Sequence, residues 1–344
     1  MNFPIRWAAL MAAGLAVFFA ACGGDQNAKN VPDVSHIKVE AKVQRFDNDL
    51  FALDTNQLAA GIAQMAAKYP ELFPLFVQNI INDPTNPNET PEQALSNFLR
   101  AAPVRHLYDT CRQAYADLRP LEGELSRMFQ FQKFYFPERP VPTVAAIVSE
   151  FGTDAFTAGD SLCGIGLDMF LGENFAGYNP EFFPEYIRRQ FRREYIPVRL
   201  AKAIAQNIAG EPTGKRLIDL MLYNGKILHI VDCLLPETPD SLKMGYTQAQ
   251  MEGCLNNEAE VWARILDQKL LYSTDFDKWR KMVTPSPNAP IVFTEAPGEI
   301  GSWLGWRIVQ AYMARNPKTT MGELLKPTDA QQFLEKAKYK PQRK

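Results

Sequence analysis

The spacing of apolar and polar residues predicts different elements in different parts of the chain. Residues 37–43 alternate apolar and polar side chains at a period of two, which is typical of a half-buried strand. Apolar residues three and four positions apart then predict a helix that begins near Asp54 and ends before Tyr69, and more helix from Thr90 to about Phe134. Six residues of the second region are predicted to lie in the core: Leu107, Cys111, Leu118, Leu121, Leu125 and Met128.

Short apolar runs between glycines mark the middle of the chain. Residues 144–148 are typical of a buried strand, residues 153–158 are predicted to turn back against it as a hairpin, and residues 164–171 are predicted to form another strand. Helical spacing returns after residue 180. The whole pattern predicts an α+β fold that is predominantly α-helical, with a small sheet around residues 140–171.

Several helix start signals occur in the C-terminal half. Three threonines have Gln or Glu three positions later, the spacing of a capping box, in which each partner binds the backbone N–H of the other. The pairs are Thr247 with Gln250, Thr320 with Glu323, and Thr328 with Gln331. The helices predicted there cover residues 197–208, 216–235, 247–271, 300–315, 320–325 and 328–336.

The N-terminal region has the pattern of an export signal. Residues 1–21 carry one basic residue, Arg6, ahead of an apolar stretch of about 15 residues, which is too short to span a bilayer comfortably. Small residues precede Cys22 and a glycine follows it, which resembles the lipobox of bacterial lipoproteins, where the cysteine is acylated. The alternative is a plain secreted protein whose Cys22 happens to lie near the cleavage point. We expect a lipoprotein signal peptide at residues 1–21, a flexible tether at 22–36 and a single globular domain at 37–344.

Charge and motif content narrow the classes of function. The 37 basic and 39 acidic side chains give a net charge of −2, so the chain has no long-range field that would gather nucleic acid. The three histidines, His36, His106 and His229, lie in separate segments, which excludes an HExxH zinc helix. No GxSxG, Walker A or dinucleotide-binding motif occurs. We therefore expect no metal, no cofactor and no catalytic residue.

Four cysteines follow residue 22, and they are widely spaced without a CxxC pattern: Cys111, Cys163, Cys233 and Cys254. This spacing excludes a zinc ribbon. An even number in an oxidising compartment permits disulfides, and Cys233 with Cys254 is the candidate pair. The alternative is that these side chains are small buried hydrophobic groups.

Two clusters place large aromatic rings next to arginine. One spans residues 182–191 and includes Arg188, and the other contains Trp303, Trp306 and Arg307. An arginine among aromatic rings can stack on a partner or bind its carboxylate. The alternative is that the two tryptophans, three positions apart on a helix, anchor the core while nearby glycines allow close helix packing.

These segments together predict a partner-binding cleft. We expect residues 144–171, the helix from Pro197 and residues 303–307 to form one cleft that binds an extended partner segment without cutting it. Arg307 is its candidate carboxylate clamp, and Asp168 is the candidate counter-charge. The candidate partner-binding residues are Asp168, Arg188, Trp303, Trp306 and Arg307.

Seven short blocks, in order along the chain, carry a family resemblance. They are RFDxDLF at residues 45–51, KYPxxF at 68–73, GLD at 166–168, PEYIRRxF at 184–191, NGKIL at 224–228, LYSTD at 271–275 and IGxWLGWRIV at 300–309. Each block is weak alone, but their common order behind a lipobox-like sequence is specific. From about residue 37 to 325, the chain resembles the gliding motility lipoprotein GldB family of the Bacteroidota.

The resemblance implies a cell-envelope lipoprotein associated with the gliding and protein-secretion apparatus of those bacteria. It supplies no catalytic residues that could be transferred to this chain. The layout is also distantly similar to envelope zinc proteases of the zincin kind, in which residues 197–205 would hold the HExxH motif. That segment has no histidine here, so this likeness implies a zincin-like fold without its metal site.

The expected function is non-enzymatic. We expect a lipid-anchored accessory or assembly component of the gliding and secretion machinery, facing the periplasm and acting by protein–protein contacts. Its expected partners are the membrane, through the lipidated Cys22, and envelope gliding and secretion proteins, but not nucleic acid. The alternative is a periplasmic, peptidase-like hydrolase with an unrecognised active site. The sequence leaves the partner's identity and the oligomeric state open.

Overall fold

The computed structural model describes residues 31–82, 85–86 and 88–342, and its strands form one mixed sheet. The strands are β1 Val43–Gln44, β2 Thr143–Ile147, β3 Ala155–Ala158 and β4 Leu162–Gly166. Their order is β1-β2-β4-β3. Strands β1 and β4 lie parallel to β2 on its two sides, whereas β3 pairs antiparallel with β4 at the edge.

Helices lie between β1 and β2 and after β4 along the chain, which confirms the predicted, predominantly helical α+β fold. Those before β2 are α1 Phe46–Phe51, α2 Leu58–Lys68, α3 Leu72–Leu75, α4 Pro91–Arg100, α5 Ala102–Ala114 and α6 Arg119–Tyr135, with a π-helical turn at Phe76–Ile80. Those after β4 are α7 Glu185–Arg188, α8 Ile196–Ala209, α9 Leu217–Leu234, α10 Asp240–Met244, α11 Gln248–Asn256, α12 Glu258–Asp267, α13 Phe276–Trp279, α14 Ile300–Arg315, α15 Met321–Leu325 and α16 Ala330–Ala337. The 3-10 turns are Leu167–Phe170, Arg193–Tyr195 and Arg280–Met282.

Strands β2 and β4 form the buried centre of the sheet. All of β4 and all but the first residue of β2 are buried, as expected for apolar strands in parallel pairing. Gly164 allows the edge strand to come close, because a Cβ there would lie 2.1 Å from the ring of Phe156 on β3. The strand predicted at residues 144–148 is confirmed.

Two predictions about the neighbouring strand segments are wrong. Residues 153–158 form their hairpin with β4 rather than with residues 144–148, because β4 itself occupies the place beside β2. The strand predicted at residues 164–171 ends at Gly166 and continues as the 3-10 turn Leu167–Phe170. The apolar side chains of that turn are buried, so their run reflects burial and not extended backbone.

The alternating segment at residues 37–43 has the predicted pattern of burial but a different partner. Ala41 and Val43 are buried and the intervening Lys42 is exposed, yet only Val43 joins the sheet. The backbone N–H of Ala41 donates to Ser126 Oγ (2.9 Å), and that of Val43 donates to Glu122 Oε1 (3.0 Å). Side chains of α6 therefore take the place of a strand ladder, which corrects the strand prediction for most of the segment.

The helix start signals are correct at two positions and wrong at the third. Thr247 and Thr320 cap α11 and α15 with the predicted capping boxes. Helix α16, however, is capped by Asp329, whose carboxylate accepts the N–H groups of Gln331 and Gln332, and not by Thr328. The helix predicted at residues 247–271 is divided into α11 and α12 at Asn257.

Helices α9 and α14 make the closest crossing in the core. A Cβ on Gly225 of α9 would lie 2.3 Å from the carbonyl carbon of Gly305, and a Cβ on Gly305 of α14 would lie 1.8 Å from the carbonyl oxygen of Met221. Only glycine at both positions permits this backbone contact. The predicted role of glycine in close helix packing is confirmed at this crossing.

The six core residues predicted between Leu107 and Met128 are all buried. Asp33–Lys344 pack as one unit. Within the described residues, no helix is both long enough and apolar enough to cross a membrane. The predictions for residues 1–21 and for acylation of Cys22 lie outside the described residues.

Candidate functional site

Asp168 is fully buried just after β4, where it supports the turn that follows β2. Its Oδ1 accepts the N–H of Ser149 (3.0 Å), and its Oδ2 accepts the N–H of Phe151 (2.6 Å). The turn needs this support because Glu150 and Phe151 have φ angles of 52° and 66°, and a non-glycine residue in that region costs about 1–2 kcal/mol. Asp168 therefore stabilises the turn from inside the protein.

The same burial changes the acidity of Asp168. Loss of solvent raises the pKa of this carboxyl to about 6, although the hydrogen bonds from Phe151 and Ser149 favour its charged form. Burial also raises the pKa of Glu150 in the same turn. The C-terminal ends of the central strands β2 and β4, called the sheet edge below, thus hold carboxyl groups that bind protons more readily than exposed carboxyl groups do.

Arg307 lies on α14 and contacts a different buried carboxylate. Its Nε lies 3.4 Å from Oε1 of Glu258 on α12, and its Nη1 donates to Gln310 Oε1 (3.0 Å). Glu258 is fully buried and also accepts the hydroxyl of Tyr339 (2.6 Å). The prediction that Asp168 is the counter-charge of Arg307 is therefore wrong, because backbone N–H groups satisfy Asp168 while Glu258 faces the guanidinium.

A groove of about 230 Å³ opens beside Arg307. Trp303 and Trp306 line it although they are only 2% and 1% exposed, so they form its floor and also anchor α14 in the core. The polar part of the lining comes from α10, from α11 and from α14. The groove is lined by residues that include Asp240, Ser241, Gln248, Trp303, Trp306 and Arg307.

The prediction of one cleft across the molecule is wrong. Helices α8 and α14 each pack against α9, and the groove at Trp303 and Arg307 is lined by no residue of the sheet or of α8. The candidate residues thus divide into two regions, one at the sheet edge around Asp168 and one at the groove. The N-terminal end of α14 approaches α8 through the electrostatic interaction of Glu299 with Lys202.

The sequence analysis did not identify the cluster of charged residues where α8 meets the start of α14. Arg199 of α8 pairs with Asp154 beside β3 (2.9 Å). Lys202, one turn along α8, and Glu299, at φ 61°, are half-buried; burial lowers the pKa of Lys202 and raises that of Glu299. The spacing of Arg199 and Lys202 indicates a shared helix face, but nothing local indicates carboxylates from distant segments.

Comparison with known proteins places the chain in a family. A family model described as gliding motility protein GldB matches residues 27–341. The chain belongs to the GldB family. The match confirms the resemblance seen in seven blocks and extends it at both ends. No curated protein and no solved structure matches the chain, so the distant likeness to zincins stays a prediction.

Several blocks of the GldB resemblance have a clear structural use in this member of the family. The block at residues 224–228 supplies Gly225, and the block at residues 300–309 supplies Gly305, so these two blocks build the α9–α14 crossing. In the block at residues 45–51, Arg45 binds the buried Asp47 with two hydrogen bonds, of 2.9 and 2.7 Å. These motifs therefore contribute to helix packing and to a buried ion pair in the GldB chain.

The remaining candidate of this GldB chain, Arg188, lies on a segment that packs against the turn at Asp168, where the ring centroids of Phe183 and Phe151 are 6.3 Å apart. Arg188 is the last residue of the short helix α7, where its Nε is buried without a hydrogen-bond partner in the described part of the chain.

Among the described residues, no group of three or more His, Cys, Asp or Glu side chains is arranged to hold a metal ion.

The predicted Cys233–Cys254 disulfide is not formed in the structure. The Cys233 sulfur, on α9, lies 3.8 Å from His229 Nε2 and also interacts with Tyr135 of α6. Cys254 is a fully buried thiol on α11, and burial raises its pKa to about 12. The two side chains face different surroundings, and Cys254 is used as a small buried apolar group.

Proposed function

We propose that the chain is a lipid-anchored, non-enzymatic accessory or assembly component of the gliding motility and associated protein-secretion machinery. Membership of the GldB family connects it to gliding motility. The lipobox-like sequence around Cys22 supports an anchor in an envelope membrane, with the domain facing the periplasm. In this proposal the domain acts by protein–protein contacts with envelope proteins and needs no cofactor.

The groove beside Arg307 is the observation that carries the contact role. Its lining combines an aromatic floor with polar groups, as interface pockets that accept a partner side chain do. Arg307 is 25% exposed, and two of its nitrogens are fixed by Glu258 and Gln310. Its Nη2 has no partner within the described residues, so it can donate to a carboxylate or carbonyl oxygen of the bound protein.

The test exchanges the guanidinium while keeping the charge that Glu258 requires. Arg307→Lys leaves a cation beside Glu258 but removes the forked nitrogens, so binding should fall about tenfold or more while folding is kept. Arg264→Lys is the matched control, because Arg264 is an exposed arginine on the neighbouring helix α12.

Cross-linking in gliding cells measures the contact directly. A photoreactive amino acid in place of Gln248 in the groove should form one discrete adduct with an envelope protein. We expect Arg307→Lys to abolish the adduct and to slow gliding, and Arg264→Lys to change neither. An unchanged adduct and normal gliding in Arg307→Lys would remove the groove from the proposal.

A further inference from the structure

Phe182 stands on the surface at the tip of an aromatic cluster. Its side chain is 75% exposed, the largest value among the large apolar side chains exposed in the described residues. The carbonyl oxygen of Asn179 accepts the N–H groups of Phe182 and Phe183, at 3.1 and 2.8 Å, and fixes the turn. The Phe183 ring packs against Phe191, with 5.3 Å between ring centroids. Phe182 is thus held out in solvent by a rigid support beneath it.

Two arginines on the same segment carry charge without a counter-ion. Arg188 ends α7 and Arg189 follows it, and the Nε atom of each is buried without a hydrogen-bond partner. Neither guanidinium forms an ion pair within the part of the chain that the structure describes, whereas the nearby Arg193 pairs with Glu124 of α6 (3.5 Å). A partly desolvated guanidinium without a carboxylate favours an anionic ligand, because charged hydrogen bonds strengthen as water is removed.

The chain entry at Asp33 and the residues that follow Arg189 both lie against α6. Arg193 contacts Glu124 on α6, and the carboxylate of Asp33 lies within electrostatic reach of Arg127 on the same helix. Glu124 and Arg127 are three positions apart, so they lie on one face of α6. Asp33 follows Cys22 by eleven residues, a length that spans about 40 Å at most. A membrane that held Cys22 would therefore lie within reach of this face.

We propose that residues 179–189 form a membrane-contact surface. Phe182 enters the boundary between headgroups and acyl chains, and Arg188 and Arg189 bind the phosphate oxygens of anionic phospholipids. The proposal rests on the anchor proposed at Cys22, which keeps the surface at high effective concentration near the bilayer. An acidic protein would also attract two arginines, but the exposed Phe182, on a segment that leads to the same helix as the chain entry, favours the lipid surface.

The test places a tryptophan reporter on the acylated, full-length protein in vesicles. Brominated acyl chains quench tryptophan that enters the bilayer, and Phe182→Trp places the reporter in the proposed surface. Phe276→Trp, at a 45% exposed ring on α13, is the matched control. With vesicles of phosphatidylethanolamine and phosphatidylglycerol we expect added quenching, relative to the unmodified chain, for Phe182→Trp only. With phosphatidylcholine alone, the quenching of Phe182→Trp should be weaker.

The arginines are tested in the Phe182→Trp background. Arg188→Gln with Arg189→Gln should lower the surface-bound fraction, since each basic side chain near an anionic membrane contributes about fivefold to binding. Arg105→Gln with Arg264→Gln, at exposed arginines of α5 and α12, should leave the quenching unchanged. Equal quenching at positions 182 and 276, or quenching that survives loss of Arg188 and Arg189, overturns the proposal.

Vesicle flotation separates this surface from the anchor. The intact protein should float with vesicles, and Cys22→Ser should not. Flotation without quenching at position 182 overturns the membrane-contact surface and leaves the anchor standing. Failure of the intact protein to float overturns the anchor and, with it, the surface that depends on it.

Discussion

Asp168 and Glu258 are both completely buried, but the protein balances their charges in different ways. Asp168 accepts backbone N–H groups from one turn, whereas Glu258 faces the guanidinium of Arg307 and the hydroxyl of Tyr339. Backbone dipoles are fixed once the turn has formed, while Arg307 also reaches the groove. The buried charge at the sheet edge thus serves the fold, and the one at the groove holds a surface arginine in place for a partner.

The largest effect is expected at the sheet edge. Asp168→Ala leaves the N–H groups of Ser149 and Phe151 buried without acceptors, and it removes the support of two residues with positive φ. We expect the free energy of unfolding in urea to fall by about 3–4 kcal/mol. Asp277→Ala, at an exposed carboxylate on α13, is the control and should change stability by less than about 0.5 kcal/mol. A small loss in Asp168→Ala would mean that water can replace the carboxylate.

The next effect should be a difference in stability loss between variants of Arg307 and variants of its partner Glu258. Arg307→Ala leaves Glu258 buried with only the Tyr339 hydroxyl as a partner, so we expect a loss of about 3 kcal/mol. Glu258→Ala leaves an arginine that is 25% exposed and can turn to water, so the loss should be about 1 kcal/mol. Denaturant unfolding of both variants and of the double variant gives the coupling energy. Equal losses would contradict the assignment of the buried charge to Glu258.

A third effect is a dependence of the free energy of unfolding on pH at the sheet edge. Because burial raises the pKa of Asp168 to about 6, the folded state holds a proton between pH 4 and pH 6 that the unfolded state has released. The contribution of Asp168 to stability therefore rises as the pH falls from 6 to 4 and is flat above 6, by about 2–3 kcal/mol in total. Subtracting the profile of Asp168→Asn from that of the unmodified protein isolates this contribution. A flat difference would show that Asp168 titrates alike in both states.

The sequence pattern correctly predicted features that depend on interactions between neighbouring residues. The run at residues 144–148 was recognised as a buried strand, and Thr247 and Thr320 were recognised as caps, because strand burial and capping depend on adjacent residues. The N-cap of α16 is Asp329 and not Thr328, because two adjacent residues can each supply a capping side chain and the sequence alone does not select between them.

The sequence pattern could not predict which distant segments contact one another in the fold. The alternation at residues 37–43 correctly indicated which side chains are buried, but it could not indicate that α6 would supply the hydrogen-bond partners. The charge of Arg307 suggested a carboxylate, and the chain offers 39 acidic residues among which only the folded arrangement selects Glu258. The cleft failed as a prediction for the same reason, because the groove is lined by α10, α11 and α14 and by no residue of the sheet, an arrangement that only the fold determines.

The contact of Gly225 with Gly305 also determines how α9 and α14 can move. The two backbones touch here with no side chain between them, and a Cβ at position 305 would lie only 1.8 Å from the Met221 carbonyl oxygen. A small axial shift of α14 would press the residues that flank Gly305 toward this contact, and the close packing of the core opposes such a shift. The crossing therefore resists gradual shear between the two helices.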